Sequence, residues 1–108
     1  MDTQSLRAFL AVAEHQSFSQ AAEHLHLTQS AVSKRIQQLE QHLNTPLFDR
    51  HNRTISLTEA GHALLPRARQ ILDLVADTEQ ELHSFDSEVS GTLSLATKLE
   101  DLFDEQKD

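Results

Sequence analysis

Residues 18–43, FSQAAEHLHLTQSAVSKRIQQLEQHL, decide the fold of this chain, because they predict two helices joined by a tight connection. Thr28 is a good N-cap for the second helix, since its hydroxyl can accept a hydrogen bond from a backbone N–H of the first turn. Apolar residues then recur on one side of that helix, at Val32, Ile36, Leu39 and Leu43. The repeat therefore defines a buried face and leaves the opposite face to solvent.

The opposite face carries small polar and cationic side chains. At about 100° per residue, Ser30, Lys34 and Gln37 point away from the apolar stripe. On a rigid helix, such side chains can hydrogen-bond to base edges in the major groove of duplex DNA. We therefore predict DNA contacts from the start of this helix, at Thr28, Gln29, Ser30, Ser33, Lys34 and Gln37. The alternative is an ordinary surface helix with a solvated polar face.

The residues before this helix predict two further helices and a trihelical core. Ser17 begins a capping-box pattern with Gln20. Between residues 3 and 15, apolar side chains repeat at helical spacing, at Leu6, Phe9, Leu10 and Ala13. We expect Phe18 to fill the space between the first two helices. The turn before the third helix has no glycine, so we expect His26 to adopt a less regular conformation there, with positive φ.

A hairpin is predicted after the third helix. Pro46 stops the helix, because it lacks an N–H and clashes with the preceding turn. Residues 47–50 and 54–57 then predict two short strands joined by a turn at 51–53. A two-stranded hairpin after three helices is the winged helix-turn-helix plan. We predict that Arg50 and Arg53 contact DNA from this wing, the alternative being two solvated surface arginines.

A long helix follows, for which Thr58 is the N-cap. Residues 59–89 contain no strong stop, and about 30 residues of helix would extend roughly 45 Å. Pro66 should bend this helix near His62 or break it into two pieces.

The long helix carries a coiled-coil seam. Its apolar side chains alternate at spacings of four and three, and Thr78 interrupts them. We predict dimerisation contacts at Leu64, Ala68, Ile71, Val75, Leu82 and Phe85. The simplest partner is a second copy of the chain, related by a two-fold axis. The alternative is that the seam packs onto the trihelical core of its own chain.

Composition limits the class of protein. The 108 residues suffice for one small domain plus an extension, and the absence of cysteine excludes disulfides. We see neither a membrane span nor a signal peptide, so we expect a soluble, cytoplasmic protein. The net charge is −8, but residues 1–70 carry +1 and residues 71–108 carry −9. The acidic excess therefore lies away from the predicted DNA contacts, and non-specific electrostatic affinity for DNA should be weak.

Neither metal binding nor catalysis is indicated by the motifs. The seven histidines and the carboxylates do not form a recognisable ligand set. No nucleophile elbow, phosphate-binding loop or glycine-rich turn is present. We therefore predict that the chain is not an enzyme and takes no metal or cofactor.

Two sequence runs carry a family resemblance: SFSQAAEHLHLTQSAVSKRIQQLEQHLNTPLFDR at 17–50 and NRTISLTEAG at 52–61. Over about residues 3–97 the chain resembles the N-terminal region of LysR-type transcriptional regulators. The resemblance implies a bacterial transcription factor with a winged helix-turn-helix, a linker helix and an effector-binding domain. It also implies dimers through antiparallel linker helices, usually paired into tetramers, on interrupted palindromic DNA sites.

The resemblance places base or phosphate contacts at the start of the third helix, which enters the major groove in the family. Gln29, Ser30, Ser33 and Lys34 occupy those positions here, with Arg50 and Arg53 on the wing. Many members have proline in place of Ser30 and arginine in place of Lys34. Lysine lacks the bidentate fork that arginine offers to guanine, so the base preference at Lys34 is open.

The predicted organisation is a mainly helical chain in three parts. Residues 1–58 form the winged helix-turn-helix and residues 59–89 the linker and dimerisation helix. Residues 90–108 combine the start of an effector domain with an acidic tail, and we expect them to be disordered. An acidic tail cannot form an inducer-binding domain, so we expect no small-molecule inducer to bind this fragment.

The leading functional hypothesis is sequence-specific binding of double-stranded DNA by a dimer on a dyad operator. The alternative is a coiled-coil interaction module that forms mixed dimers with a full-length regulator.

Overall fold

The structure, a computed structural model, describes residues 1–51 and 54–92, and the side chains as far as residue 85. The helices and strands, in chain order, are α1 (Thr3–His15), α2 (Phe18–Leu25), α3 (Gln29–Leu43), β1 (Phe48–Asp49), β2 (Ser56–Leu57) and α4 (Glu59–Thr92). The predicted fold, a mainly helical winged helix-turn-helix followed by a long helix, is confirmed. Residues Met1–Asp73 form one compact unit, and a second unit begins at Leu74.

Side-chain caps begin the first two helices, and left-handed residues end them. The Asp2 carboxylate accepts a hydrogen bond from the Ser5 N–H at 2.7 Å, which holds the pKa of Asp2 below its ordinary value. The Ser17 hydroxyl accepts from the Gln20 N–H at 3.1 Å, as its capping pattern predicts. Gln16 ends α1 and His26 ends α2, both with positive φ. The expectation for His26 is therefore confirmed.

The core lies among α1, α2 and α3. Its largest fully buried side chains are Phe9, Leu6, Ile36, Leu39, Leu47, Val12 and Val32. Ala21 and Ala22 are buried in α2, where their small size lets the other helices approach closely. Phe18 is only half-buried and lies edge-on to Phe48, with ring centroids 6.2 Å apart. It therefore covers the edge of the core, whereas we expected it to fill the space between α1 and α2.

The wing is a shorter hairpin than we predicted. Two residue pairs form its antiparallel ladder, Phe48 with Leu57 and Asp49 with Ser56. Just before β1, the Leu47 N–H donates to the side chain of Glu40 at 2.7 Å, while the Leu47 carbonyl accepts from the Thr58 N–H at 3.0 Å. The Phe48 ring packs on Phe9 in the core, with centroids 5.4 Å apart. The hairpin is thus attached to the helices at its base.

Helix α4 runs unbroken through Pro66 and ends at Thr92, three residues beyond the boundary we predicted. The alternative to a bend, a break of the helix into two pieces at Pro66, does not occur. The predicted remnant of an effector domain and the acidic tail lie outside the described residues from 93 onward.

The first half of the predicted dimerisation seam packs on the core of its own chain, which corrects our assignment of Ala68 to the dimer contacts. Ala68 is fully buried, and Leu64 and Ile71 are partly buried against the core cluster. The alternative of intramolecular packing therefore holds for Ala68, since a fully buried side chain cannot also bind a partner. Leu64 and Ile71 keep part of their surface exposed, and their dimerisation contacts stay a prediction. The compact unit consequently continues past residue 58, our predicted domain boundary, to Asp73.

The second half of the seam is accessible. Leu82 and Phe85 are 60% and 41% exposed, and Val75 is half-buried. The Thr78 hydroxyl donates to the Leu74 carbonyl at 2.7 Å, so its polar group is satisfied within the helix.

Candidate nucleic-acid interface

The start of α3 is built as a capped helix end with free polar side chains. The Thr28 hydroxyl accepts a hydrogen bond from the Ala31 N–H at 3.1 Å and lies 3.3 Å from the Ser30 hydroxyl oxygen. Thr28 and Ser30 are both exposed. Their hydroxyl groups keep further hydrogen-bonding capacity, because each can donate one bond and accept two.

The six predicted contact residues of α3 and its cap lie together on the outside of the compact unit. Gln29, Lys34 and Gln37 are exposed, as Thr28 and Ser30 are, and Ser33 is half-buried. The buried stripe on the other side of α3 fixes this orientation through Val32, Ile36 and Leu39, each at most 1% exposed. An α-helix with one buried and one polar face can enter a major groove without losing core packing.

Two arginines, Arg35 in α3 and Arg50 in the wing, differ in how far their side chains are open to solvent and to a DNA partner. Arg35 is half-buried and donates to the Gln4 side chain at 2.9 Å, which ties α3 to α1. Arg50 directly follows β1, and its side chain is 44% exposed. The other wing residue that we predicted, Arg53, lies outside the described residues.

The guanidinium of Arg50 is held at the base of the wing by two groups. One Nη atom lies 3.7 Å from a Glu40 carboxylate oxygen, and the guanidinium carbon lies 5.4 Å from the centroid of the Phe18 ring. An ion pair and a cation–π contact together restrict the side chain while part of it stays open to solvent. Arg50 can therefore offer its remaining donors to a phosphate from a preset position.

Sequence reasoning missed Glu40, which organises the junction between α3 and the wing. Its side chain is 13% exposed. One carboxylate oxygen accepts from the Leu47 N–H at 2.7 Å and from the Phe48 N–H at 3.4 Å, while the other faces Arg50. The only hint in the sequence is that Glu40 follows buried Leu39 on the helix and lies within reach of the proline-terminated turn. No local pattern identifies its partners.

Gly61 was also missed as a determinant of this region. A Cβ atom at this position would overlap the Leu47 carbonyl oxygen and would lie 2.8 Å from the Leu57 side chain. The start of α4 therefore approaches Leu47, just before β1, and Leu57 of β2 as closely as a glycine allows. Thr58 adds two hydrogen bonds there, donating to the Pro46 carbonyl at 2.8 Å and accepting from the Gly61 N–H at 3.0 Å.

The histidines show one close pair. The rings of His15 and His24 lie with centroids 5.3 Å apart, across the junction of α1 and α2. Within the part of the chain that the structure describes, no group of three or more metal-binding side chains comes together. None of the helices described is both long enough and apolar enough to cross a membrane.

The chain matches one protein family and is similar in sequence to transcriptional regulators. Residues 3–62 match the family described as bacterial regulatory helix-turn-helix protein, lysR family. The chain is 60% identical over 97 residues to an uncharacterized HTH-type transcriptional regulator in the ibpB-leuC intergenic region of Azotobacter vinelandii, covering 90% of this chain and 67% of that protein. It is 53% identical over 72 residues to the HTH-type transcriptional regulator HdfR of Shigella boydii, covering 67% of this chain and 26% of HdfR.

Solved structures with the same fold include two protein–DNA complexes. The DNA-binding domain of CbnR in complex with DNA superposes with a TM-score of 0.73 at 38% identity, covering 78% of this chain and 97% of that one. The DNA-binding domain of BenM in complex with catB site 1 DNA superposes with a TM-score of 0.77 at 34% identity, covering 81% of this chain and 97% of that one.

Proposed function

Since the chain belongs to the lysR family of bacterial regulatory helix-turn-helix proteins, we propose that it binds double-stranded DNA sequence-specifically as a dimer. The start of α3 enters the major groove of each half-site. The wing contacts the adjacent phosphates through Arg50 and Arg53. The chain spans about a quarter of HdfR, so this proposal concerns the DNA-binding part of a regulator.

The observation that carries the proposal is the outward polar face at the start of α3. Exposed amide, hydroxyl and ammonium groups at Gln29, Ser30 and Lys34 stand opposite a stripe that is fully buried. Structural neighbours at 34–38% identity have been solved in complexes with DNA. The names of the relatives describe regulators, and we propose no catalytic role.

Dimerisation rests on the exposed half of the α4 seam. Leu82 and Phe85 expose 60% and 41% of their surface and lie one helical turn apart. Large apolar side chains exposed on one helix face indicate a surface that a partner covers. A second copy would bring two α3 helices to the two halves of a dyad DNA site.

Reversing charge on the α3 face should weaken DNA binding. We expect the double variant Lys34→Glu/Gln37→Glu to lose at least about tenfold in affinity for DNA, because two new carboxylates would face the phosphates and base edges. Both positions are exposed, so the fold should be unaffected. The measurement is fluorescence anisotropy at fixed salt, on operator fragments selected from a genomic DNA pool by the unaltered chain.

A matched control is available on α4. The double variant Arg67→Glu/Gln70→Glu makes the same change in charge at the same spacing, again at exposed positions. It should bind the selected DNA several-fold more tightly than the α3 variant. Equal affinity in the two variants, with both proteins folded and in the same oligomeric state, would show that α3 does not contact the duplex.

Acidic substitutions in the exposed seam should separate the dimer. We expect Leu82→Asp/Phe85→Asp to be monomeric by light scattering, since buried, unpaired carboxylates would oppose association. The control is Gln80→Asp/His83→Asp, which adds the same charge at the same spacing on another side of α4. A dimer that survives the first pair of substitutions would place the pairing surface elsewhere.

A further inference from the structure

Arg35 of α3 and Gln4 of α1 form a polar contact outside the set of predicted DNA contacts. The Arg35 guanidinium donates to the Gln4 side-chain oxygen at 2.9 Å, although the two residues are 31 positions apart in sequence. Gln4 is exposed and Arg35 is half-buried. We call this pair the α1–α3 clamp. An arginine has five N–H donors, so one bond to Gln4 leaves donors for a further acceptor.

The charge of Arg35 is not offset by an ion pair with any side chain in residues 1–51 and 54–85. The ion pairs among these residues involve three other cationic side chains, those of Arg50, His51 and Arg69. Asp2, at the start of α1, directs its carboxylate to a backbone N–H of its own helix instead. The clamp therefore presents a positive charge that is partly open to solvent.

The clamp lies on the flank of α3 opposite the wing. At about 100° per residue, Arg35 falls on one side of the polar face of α3, and Glu40, which holds Arg50, falls on the other. Each flank thus carries one arginine whose guanidinium is held by a polar side chain of another element. Glu40 of α3 holds Arg50 of the wing, and Gln4 of α1 holds Arg35 of α3.

A helix inside the major groove meets phosphates on both sides. An α-helix with its side chains is about 10–12 Å across, and the major groove is about 12 Å wide. The two flanks of the helix therefore face the two sugar-phosphate walls. Arg35 directly follows Lys34, a predicted DNA contact, and lies only about 1.5 Å further along the helix axis. The clamp consequently approaches one wall when Lys34 enters the groove.

We propose that the α1–α3 clamp binds a backbone phosphate on the wall of the major groove opposite to the one that the wing contacts. Gln4 orients the guanidinium, and Arg35 donates its remaining N–H groups to the phosphate oxygens. The proposal rests on the DNA binding proposed above and adds a positioning contact to it. Since phosphate contacts carry no sequence information, the clamp fixes the orientation of α3 without reading bases.

The competing role for the pair is an internal tie between α1 and α3 with no part in DNA binding. A neutral amide could donate the same hydrogen bond to Gln4. Arginine adds a positive charge that such a tie does not require, and it places that charge beside the polar face of α3. The uncompensated charge therefore favours the phosphate contact.

The salt dependence of DNA affinity tests the clamp, because each phosphate contact adds about 0.9 to the slope of log affinity against log salt on B-DNA. We expect Arg35→Gln to reduce that slope by about one unit per bound copy and to lower the affinity several-fold at about 0.1 M salt. The full chain is titrated by fluorescence anisotropy onto the selected operator fragments and onto a random-sequence duplex of equal length. The ratio of the two affinities should stay constant.

Three variants serve as controls. Arg67→Gln removes the same charge at an exposed position of α4 and should leave the slope unchanged. Arg35→Lys should keep the slope, because the charge remains, but lose part of the affinity with the bidentate fork. Gln4→Ala should likewise keep the slope and lower the affinity, since the guanidinium loses its orienting acceptor. Circular dichroism checks the fold, and a fold defect would reduce the active fraction without changing the slope.

An unchanged slope for Arg35→Gln, with the unaltered chain binding the operator, would overturn the clamp and leave the pair as an internal tie. An equal fall in slope for Arg67→Gln would reflect net charge and would overturn it too. A reduced preference for the operator over the random duplex in Arg35→Gln would mean that Arg35 reads bases, which also contradicts the proposal. If the unaltered chain binds neither duplex, the DNA-binding proposal itself fails, and the clamp fails with it.

Discussion

Replacing Gly61 by alanine is expected to lower the free energy of unfolding by about 2–3 kcal/mol and the Tm by roughly 10–20 °C. Glycine to alanine in a helix normally stabilises by up to about 1 kcal/mol. Here the added Cβ would overlap the Leu47 carbonyl oxygen and press on the Leu57 side chain. Neither group can move freely, because both belong to the base of the wing. Steric overlap should therefore outweigh helix propensity.

Thermal unfolding followed by circular dichroism measures this effect, and Ala63 provides the control. Ala63 lies two residues further along α4 and is exposed, so Ala63→Gly should cost only the propensity difference of about 1 kcal/mol. A Gly61→Ala variant as stable as the parent would mean that α4 and the wing are less closely packed than the structure has them.

The second large effect is expected at Glu40. Glu40→Ala should destabilise the chain by about 2–3 kcal/mol, because the N–H of Leu47, a residue that is 1% exposed, would lose its acceptor. Arg50 would lose its ion pair at the same time. DNA affinity should also fall, since the α3–wing junction and the preset position of Arg50 both depend on this carboxylate.

The conservative variant separates the two roles of Glu40. Glu40→Gln keeps an oxygen that can accept from Leu47 but cannot form an ion pair with Arg50, so most of the stability should return. Glu23→Ala, at an exposed position of α2, should change stability by less than about 0.5 kcal/mol. Chemical denaturation measures all three variants. Equal stability of Glu40→Ala and Glu23→Ala would rule out a structural role for the Glu40 carboxylate.

The parts of the fold that local patterns determine were predictable from the sequence. The helices α1 to α3 follow from apolar spacing and from caps such as Ser17 and Thr28, whose hydroxyl groups accept from backbone N–H donors within the same turn. The outward face of α3 follows from the same spacing, because a buried stripe fixes the side that remains exposed. The positive φ of His26 was predictable because the turn has no glycine.

Contacts between distant residues were not predictable in this way. At the base of the hairpin, the Leu47 N–H donates to the side chain of Glu40, seven residues earlier, instead of to the opposite strand. Nothing in the strand pattern indicates that contact. The close approach at Gly61 likewise depends on where Leu47 and Leu57 lie in space.

The α4 seam shows the limit of periodicity most clearly. A spacing of four and three predicts an apolar stripe, but it does not say what covers the stripe. Ala68 and Leu82 occupy equivalent positions of the repeat, yet Ala68 is fully buried in the core and Leu82 is 60% exposed. The core extends as far as Ile71 and Leu72, and this extent determines where the buried part of the seam ends and the exposed part begins.

The burial of Ala68 has a practical consequence for the design of chimeric regulators. A chimera that keeps this chain only to the end of the wing would lose the α4 side chains that cover the core. The graft would then expose an apolar surface and tend to aggregate. A junction placed after Asp73 keeps the transplanted piece self-sufficient and leaves the choice of partner to the helix supplied by the recipient.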